Sequence, residues 1–379
     1  MKKKIVYWSP CLNKVGTVIS TKNSAIAMAK YKKKHYEIFI INTCGEWNIH
    51  KDEFLKSGVK IINFNFDFFN LLPKEGFLSS RFSYIVIFLT SLFPLLRFLK
   101  KNNPDYLIMH LITSLPLALL TFFNFKTKFV LRISGMPKLN FLRKFLWKLC
   151  AKKLFSITCP TIELKKKIIN SKIFDVKKVF YLQDAIINLD NFRRFKDDLA
   201  KQFKGKKIIL AAGRLTKQKN FLFLIEEISN FLNENNYILI ILGEGEEIRN
   251  LKNFISKKQL TDKVFLPGRV ENIYDYMRSA DVFILSSLWE EIGFVIVEAA
   301  FNNLFIISSD CPNGPKEFLE NGKNGILFKN NSKNELFNNF NNFLNLKSLY
   351  RMQVNAKKKA RQYSKFNHHL KLHKILYEN

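Results

Sequence analysis

Short apolar runs bounded by polar or turn residues recur along the first half of the chain: "KIVYWS" from Lys4, "YEIFIIN" from Tyr36, "VKIINFNF" from Val59, "DYLIMHL" from Asp105, "KFVLRIS" from Lys128 and "FSITCP" from Phe155. Each has a strand's length, and longer segments of helical type separate them. That alternation predicts a parallel sheet covered by helices on both faces. The rhythm stops in the polar, charge-mixed stretch from Asp184 to Lys207. It restarts with "IILAAG", "YILIIL", "KVFLPG", "DVFILSS" and "LFIISSD". The prediction is an α/β chain of two Rossmann-like domains with parallel sheets facing a central cleft. The first covers 1–188, a linker covers 189–206 and the second covers 207–358. The last segment, 359–379, reads as helical and could return to the first domain.

One stretch departs from this pattern. "FSYIVIFLTSLFPLLRFL", Phe82 to Leu99, is almost wholly apolar and is flanked by Arg81, Lys100 and Lys101. It is near the length of a spanning helix, yet it contains Ser83, Thr90, Ser91, Pro94 and Arg97. Three readings stay open: a buried helix of the first domain, a helix lying partly in a membrane surface, and a transmembrane span.

Composition narrows the class. A chain of 379 residues fits two domains, and 47% hydrophobic against 25% charged residues supplies two cores without global disorder. The five cysteines, Cys11, Cys44, Cys150, Cys159 and Cys311, show neither a C-x-x-C pair nor zinc-ligand spacing, so reduced thiols in a cytoplasmic protein are expected. The start, "MKKKIVYWSPCL", lacks the apolar core and cleavage site of a signal peptide and is expected to open on a β-strand. The formal net charge of +31 partly reflects a Lys, Asn, Ile and Phe bias. It nevertheless favours anionic surroundings: nucleic acid, an acidic leaflet or phosphorylated substrates.

Local motifs choose among these. "IILAAGRLTKQKNFLFLIEE" is a strand, a glycine-containing turn with Arg214 and Lys219, and an apolar helix. Two cations at a strand's C-terminal end and a helix start suit a diphosphate, although a solvated loop is an equal reading. The Gly-x-Gly of "YILIILGEGEEI" lacks a third glycine, and Glu244, Glu246 and Glu247 would repel a pyrophosphate, so a tight turn is the better reading. In "LWEEIGFVIVEAA", Glu290 sits on a loop and Glu298 about one turn into the following helix. Both can accept hydrogen bonds from sugar or ribose hydroxyls, while the helix start offers N–H groups to a phosphate. In "CPNGPKEF", Gly314 and Pro315 open a helix with Lys316 and Glu317; close approach to an anion and a structural turn both fit.

"GRLTKQKN", "EEIGFVIVE" and "CPNGPKEFLENGKNGILF", in this order and spacing, resemble glycosyltransferase family 4, retaining and metal-independent sugar transferases of the two-lobed GT-B fold. Glu290 and Glu298 match its E-x7-E motif, with Glu291 in place of the family's glycine and Ile292 in place of its phenylalanine. "SPCLNKVGTVISTKNSAIAMAK" looks like the loop after strand 1, which would put Gly16 and Thr17 near the transferred group. "DYLIMHLITSLPLALL" and "FVLRISGMPKL" look like a subgroup that builds bacterial surface polysaccharides and lipid-linked glycans. The resemblance implies His110 facing the donor sugar from an acceptor-side first domain.

It also implies a nucleotide-sugar donor on the second domain, with the diphosphate on Arg214, Lys219 and the backbone of Gly293 and Phe294. Val295 adjoins them, Glu298 would take the ribose and Glu290 the sugar. The "VFLPGRV" loop with Gly268 and Arg269 would lie against the base. Glu290, His110, Arg214 and Lys219 are the catalytic candidates, and no metal or other cofactor is expected. The expected donor is UDP-N-acetylhexosamine and the acceptor a glycan or lipid-linked glycan. Peripheral contact with an anionic membrane on the inner face of the plasma membrane is expected, and nucleic acid is not. Two alternatives remain: a catalytically silent cationic protein binding membrane surfaces or nucleic acid on this scaffold, and a nucleotide-sugar epimerase.

Overall fold

The computed structural model describes residues 2–12, 16–64, 67–73, 77–110, 115–187, 189, 192, 202–203, 205–345 and 349–377, with backbone alone at 77–80. The chain divides into two compact units: Met1–Ala185 with Lys365–Asn379, and Ile186–Ser364. Most of the stretch expected as a linker lies outside the described residues.

In unit 1, β1 (Lys3–Trp8), β2 (Tyr36–Asn42), β3 (Lys60–Asn63), β4 (Tyr106–His110), β5 (Lys128–Arg132), β6 (Ser156–Cys159) and β7 (Val179–Tyr181) form one sheet in the order β3-β2-β1-β4-β5-β6-β7. Every pairing is parallel. Both faces are covered, as the near-continuous apolar strands require. Successive residues therefore enter different cores. Val6, Trp8, Leu107 and Met109 pack with the helices Phe77–Asn102, Leu115–Phe122 and Phe141–Ala151. Ile5, Tyr7, Tyr106 and Ile108 pack with the helix Gly16–Tyr31 and with Leu372, Ile375 and Leu376 of the returning helix Lys365–Tyr377.

That return begins at Lys365. The preceding helix, Leu349–Arg361, stays in unit 2, where Ala356 and Ala360 enter the core beside the helix Phe294–Phe301. The sequence boundary at 359 therefore falls inside a helix of unit 2.

In unit 2, β8 (Lys207–Ala212), β9 (Tyr237–Leu242), β10 (Val264–Gly268), β11 (Val282–Leu285), β12 (Phe305–Ser309) and β13 (Ile326–Phe328) are all parallel, in the order β10-β9-β8-β11-β12-β13. Ile208, Leu210 and Ala212 face one core, and Ile209 and Ala211 face the other. The strand order reverses between β1 and β4 in one sheet and between β8 and β11 in the other. At such a switch the flanking connections leave toward opposite faces and open a crevice at the strands' C-terminal ends.

The helix Phe77–Asn102 contains a 22-residue stretch, Arg81–Asn102, long and apolar enough to cross a membrane, with mean hydropathy 1.9. One face of it belongs to unit 1: Ser83, Ile87, Ser91, Leu95 and Leu99 are buried. It is neither a fully buried helix nor a free span.

Candidate active site

The switch of unit 2 gathers several of the expected site residues. The chain leaves β8 through Gly213 and exposed Arg214 and is then pinned by fully buried Leu215. Gly213 leaves the space that the Lys219 side chain fills, since a Cβ there would lie 2.9 Å from Lys219 Cε. Lys219 forms an ion pair with Glu290, which follows β11. Ser287 Oγ also donates to Glu290 Oε1, at 2.7 Å, and Ser286 Oγ donates to the Lys219 carbonyl, at 2.8 Å. The two loops are stitched further by Leu288 N–H to the Gln218 carbonyl, 2.8 Å, and by Gln218 Nε2 to the Trp289 carbonyl, 2.8 Å.

The Gly-x-Gly after β9 is a packing device. A Cβ on Gly243 would lie 1.9 Å from the Gly213 carbonyl oxygen, and one on Gly245 would lie 2.3 Å from that of Leu215. Gly243 N–H also donates to the Gly268 carbonyl, 2.9 Å, tying the end of β10 to the same loop cluster; Arg269 beside it is exposed. Gly314 has a similar role, because its Cβ would meet the Glu291 carbonyl oxygen and Ile292 Cα, each at 2.3 Å. Its close approach is to backbone, and Lys316 pairs with Asp310 at 2.9 Å, so the structural turn is the reading that stands.

The departure at Glu291 follows from the backbone. Within 290–293 only Gly293 has a left-handed φ, +70°, so a side chain at 291 costs no strain. Ile292 is buried in the core. Gly293 opens the helix Phe294–Phe301, whose first-turn N–H groups at Phe294 and Val295 have no intrahelical acceptor. Glu298, one turn on, is half-buried and has no side-chain partner among the described residues. Burial pushes its carboxyl up to about 8.

Unit 1 presents a second cluster at its own switch. His110 ends β4, and its Nε2 lies 3.1 Å from Thr21 Oγ1 on the helix Gly16–Tyr31, which starts with half-buried Gly16 and Thr17. Thr21 Oγ1 lies 2.8 Å from the Thr17 carbonyl, so His110 and the helix start share one hydroxyl. His110 is only 3% exposed; burial, then the Arg132 charge, pushes it down to about 3, so the ring is neutral. Its buried Nδ1 has no partner among the described residues, and 111–114 lie outside them.

Sequence reasoning missed the polar network beneath. Arg132, ending β5, forms a buried ion pair with Asp184 at 2.5 Å and donates to the Leu182 carbonyl at 2.7 Å. Ser20 also bonds Asp184. His368 of the returning helix meets Ser24 Oγ at 2.7 Å and the Gln183 carbonyl at 2.6 Å. The signal for Arg132 was the one used for Arg214, an arginine directly off an apolar strand. No group of three or more His, Cys, Asp or Glu suited to a metal occurs among the described residues.

These switch-point loops have the fold and motif pattern of a known class. Residues 193–363 match the sequence model of the family described as glycosyl transferases group 1. The whole chain has the GT-B fold. It aligns over 100% of its length with 99% of a glycosyltransferase from Rickettsia africae, with TM-score 0.79 and 18% identity. It also covers all of HepE from Anabaena, a structure in complex with UDP, with TM-score 0.74 and 15% identity. Among curated proteins, an uncharacterized glycosyltransferase of Methanocaldococcus jannaschii is 30% identical over 246 residues, 60% of this chain and 61% of that one. The chain thus matches about three fifths of that relative's length. A Campylobacter jejuni N-acetylgalactosamine-N,N'-diacetylbacillosaminyl-diphospho-undecaprenol 4-alpha-N-acetylgalactosaminyltransferase is 26% identical over 275 residues, 69% of this chain and 71% of that one.

Proposed function

We propose that the protein is a retaining glycosyltransferase that moves N-acetylhexosamine from UDP to a glycan or lipid-linked glycan acceptor in cell-surface polysaccharide synthesis. It works on the cytoplasmic side and without a metal. The observation that carries this reading is the buried Lys219–Glu290 pair at the β8/β11 switch, beside exposed Arg214 and the free N–H groups at Phe294 and Val295. A cation, a carboxylate and a helix start at one crevice suit a sugar diphosphate better than either partner alone. The names of the relatives and of the UDP-bound structure support the donor and acceptor classes.

In this reading Arg214, Lys219 and the backbone at Gly293 and Phe294 bind the diphosphate, Glu298 the ribose and Glu290 the sugar. His110, with Gly16 and Thr17, borders the transferred group, and Gly268 with Arg269 borders the base. The bond from the anomeric carbon to the diphosphate oxygen breaks as the acceptor oxygen bonds the same face of that carbon. The acceptor's proton passes to the leaving diphosphate. Charge growing on the diphosphate meets preorganised donors, each contributing about 3 kcal/mol.

The test is thermal stabilisation by UDP and GDP, followed by a screen of nucleotide sugars scored by nucleotide release with lipid acceptors present. Stabilisation by UDP, lost in the double variant Arg214→Ala with Lys219→Ala, supports the reading. No stabilisation by any nucleotide ends it.

A further inference from the structure

The helix Phe77–Asn102 is apolar on both faces, with Ile87, Leu95 and Leu99 buried against unit 1. Two of its serines, Ser83 and Ser91, face inward and are fully buried, and Ser91 Oγ has no hydrogen-bond partner among the described residues. Other large apolar residues face outward: Phe82 is 59% exposed, Ile85 58%, Leu89 62% and Phe93 74%. At spacings of three and four they form one stripe. A second apolar stripe, on a helix whose inner face already packs on the core, marks an outer face not meant for water.

The helix Phe141–Ala151 repeats the pattern. Trp147, Cys150 and Ala151 face the core, while Phe141, Leu142, Phe145 and Leu149 are exposed, with exposed Lys144 and Lys148 between them. The helix Leu115–Phe122 packs against both and ends in exposed Phe122. These helices cover the same face of the unit 1 sheet.

Charge identifies what covers this face. From Phe77 to Lys153 the sequence has thirteen Lys and Arg, of which Arg132 alone is buried, and a single carboxylate, Asp105. Asp105 accepts from Lys4 N–H at 2.7 Å, at the start of β1. A second copy would bring like charges together; an anionic leaflet would neutralise them while its acyl region took up the phenylalanines. The start of the long helix also lies at a particular height. Ile87 packs with Leu12, Cys44 and Leu72, which follow β1, β2 and β3. Phe82 and Ile85 therefore sit at the C-terminal edge of the sheet, the edge that carries Thr17 and His110.

We propose that this face of unit 1 lies in an anionic phospholipid leaflet, with the outer stripe of Phe77–Asn102 and the outer face of Phe141–Ala151 inserted at headgroup depth. The proposal deepens the function given above and rests on it only for the acceptor, which the leaflet would present at the His110 edge.

The experiment uses the full chain and vesicles of phosphatidylcholine with and without phosphatidylglycerol. Co-sedimentation should require phosphatidylglycerol and persist in part at high salt. Leu89→Ser with Phe93→Ser, and separately Phe141→Ser with Phe145→Ser, should each lower partitioning about tenfold or more. Melting temperature and stabilisation by UDP should not fall. In Phe93→Trp the indole should be quenched by brominated acyl chains. Three results would overturn the proposal: variants that bind like the parent, an unquenched indole, or a dimer that dissociates on these substitutions. Because UDP stabilisation is read separately, loss of vesicle binding alone leaves the donor reading intact.

Discussion

Lys219 and Glu290, 71 positions apart in sequence, form an ion pair largely withdrawn from water, with side chains 12% and 9% exposed. Two buried charges satisfy each other, but either alone is costly. Lys219→Ala is expected to destabilise unit 2 by about 3–5 kcal/mol, because it strands the Glu290 carboxylate. The neutral pair Lys219→Met with Glu290→Gln should recover most of that loss without recovering transfer. Denaturant melts of the three variants, with nucleotide release measured alongside, check this. A double variant less stable than Lys219→Ala would refute the account.

Glu298 makes stability pH-dependent. Its folded carboxyl is pushed up to about 8, so above its unfolded value near 4.5 the unfolded chain gives up a proton that the folded chain keeps. Stability from this group is therefore present at acid pH and lost as pH rises from about 4.5 through 8. Glu298→Gln should melt higher than the parent at pH 8–9, with the difference vanishing near pH 4, and should bind UDP less tightly. Equal melting curves across that range would remove the group from the explanation.

The glycines differ in what they tolerate. Gly314→Ala forces a Cβ onto the Glu291 carbonyl oxygen and Ile292 Cα, both backbone. It should cost about 1–3 kcal/mol and weaken UDP binding by displacing the Glu290 loop. Gly268→Ala meets nothing within 4 Å and pays only for its φ of +83°, about 1 kcal/mol. Melting and UDP titration of both variants separate packing from backbone strain.

Asp184→Ala leaves Arg132 buried without its carboxylate and should cost about 3–5 kcal/mol. It also releases Ser20, on the helix that carries Thr17. A melting temperature within a degree or two of the parent would show the pair to be dispensable.

The strands were legible because each is apolar, short and bounded by polar residues, and the strand-to-loop positions of Arg214, Lys219 and Glu290 followed from them. Three features were not legible. In sequence Gly243 reads as part of a tight turn and Gly314 fits an anion cradle or a structural turn, and only backbone proximity shows that both pack loop on loop. The partners of Arg132 are similarly hidden: Asp184 is 52 positions away, at the start of the polar stretch where the strand rhythm stops, and His368 in the same network comes from the far end of the chain. The helix Phe77–Asn102 could not be assigned from hydropathy, which counts apolar residues without saying which side the serines take.

The return of Lys365–Tyr377 to unit 1 sets an order of assembly during synthesis. Unit 2 is contiguous and can close once residue 364 has left the ribosome. Unit 1 has all seven strands much earlier, yet Tyr7, Ile38 and Tyr106 are covered only in part, by the helix Gly16–Tyr31, until Leu372, Ile375 and Leu376 arrive. The first half of the chain to be made is therefore the last to be finished. The nascent protein carries a half-covered sheet face through the whole translation of its other domain.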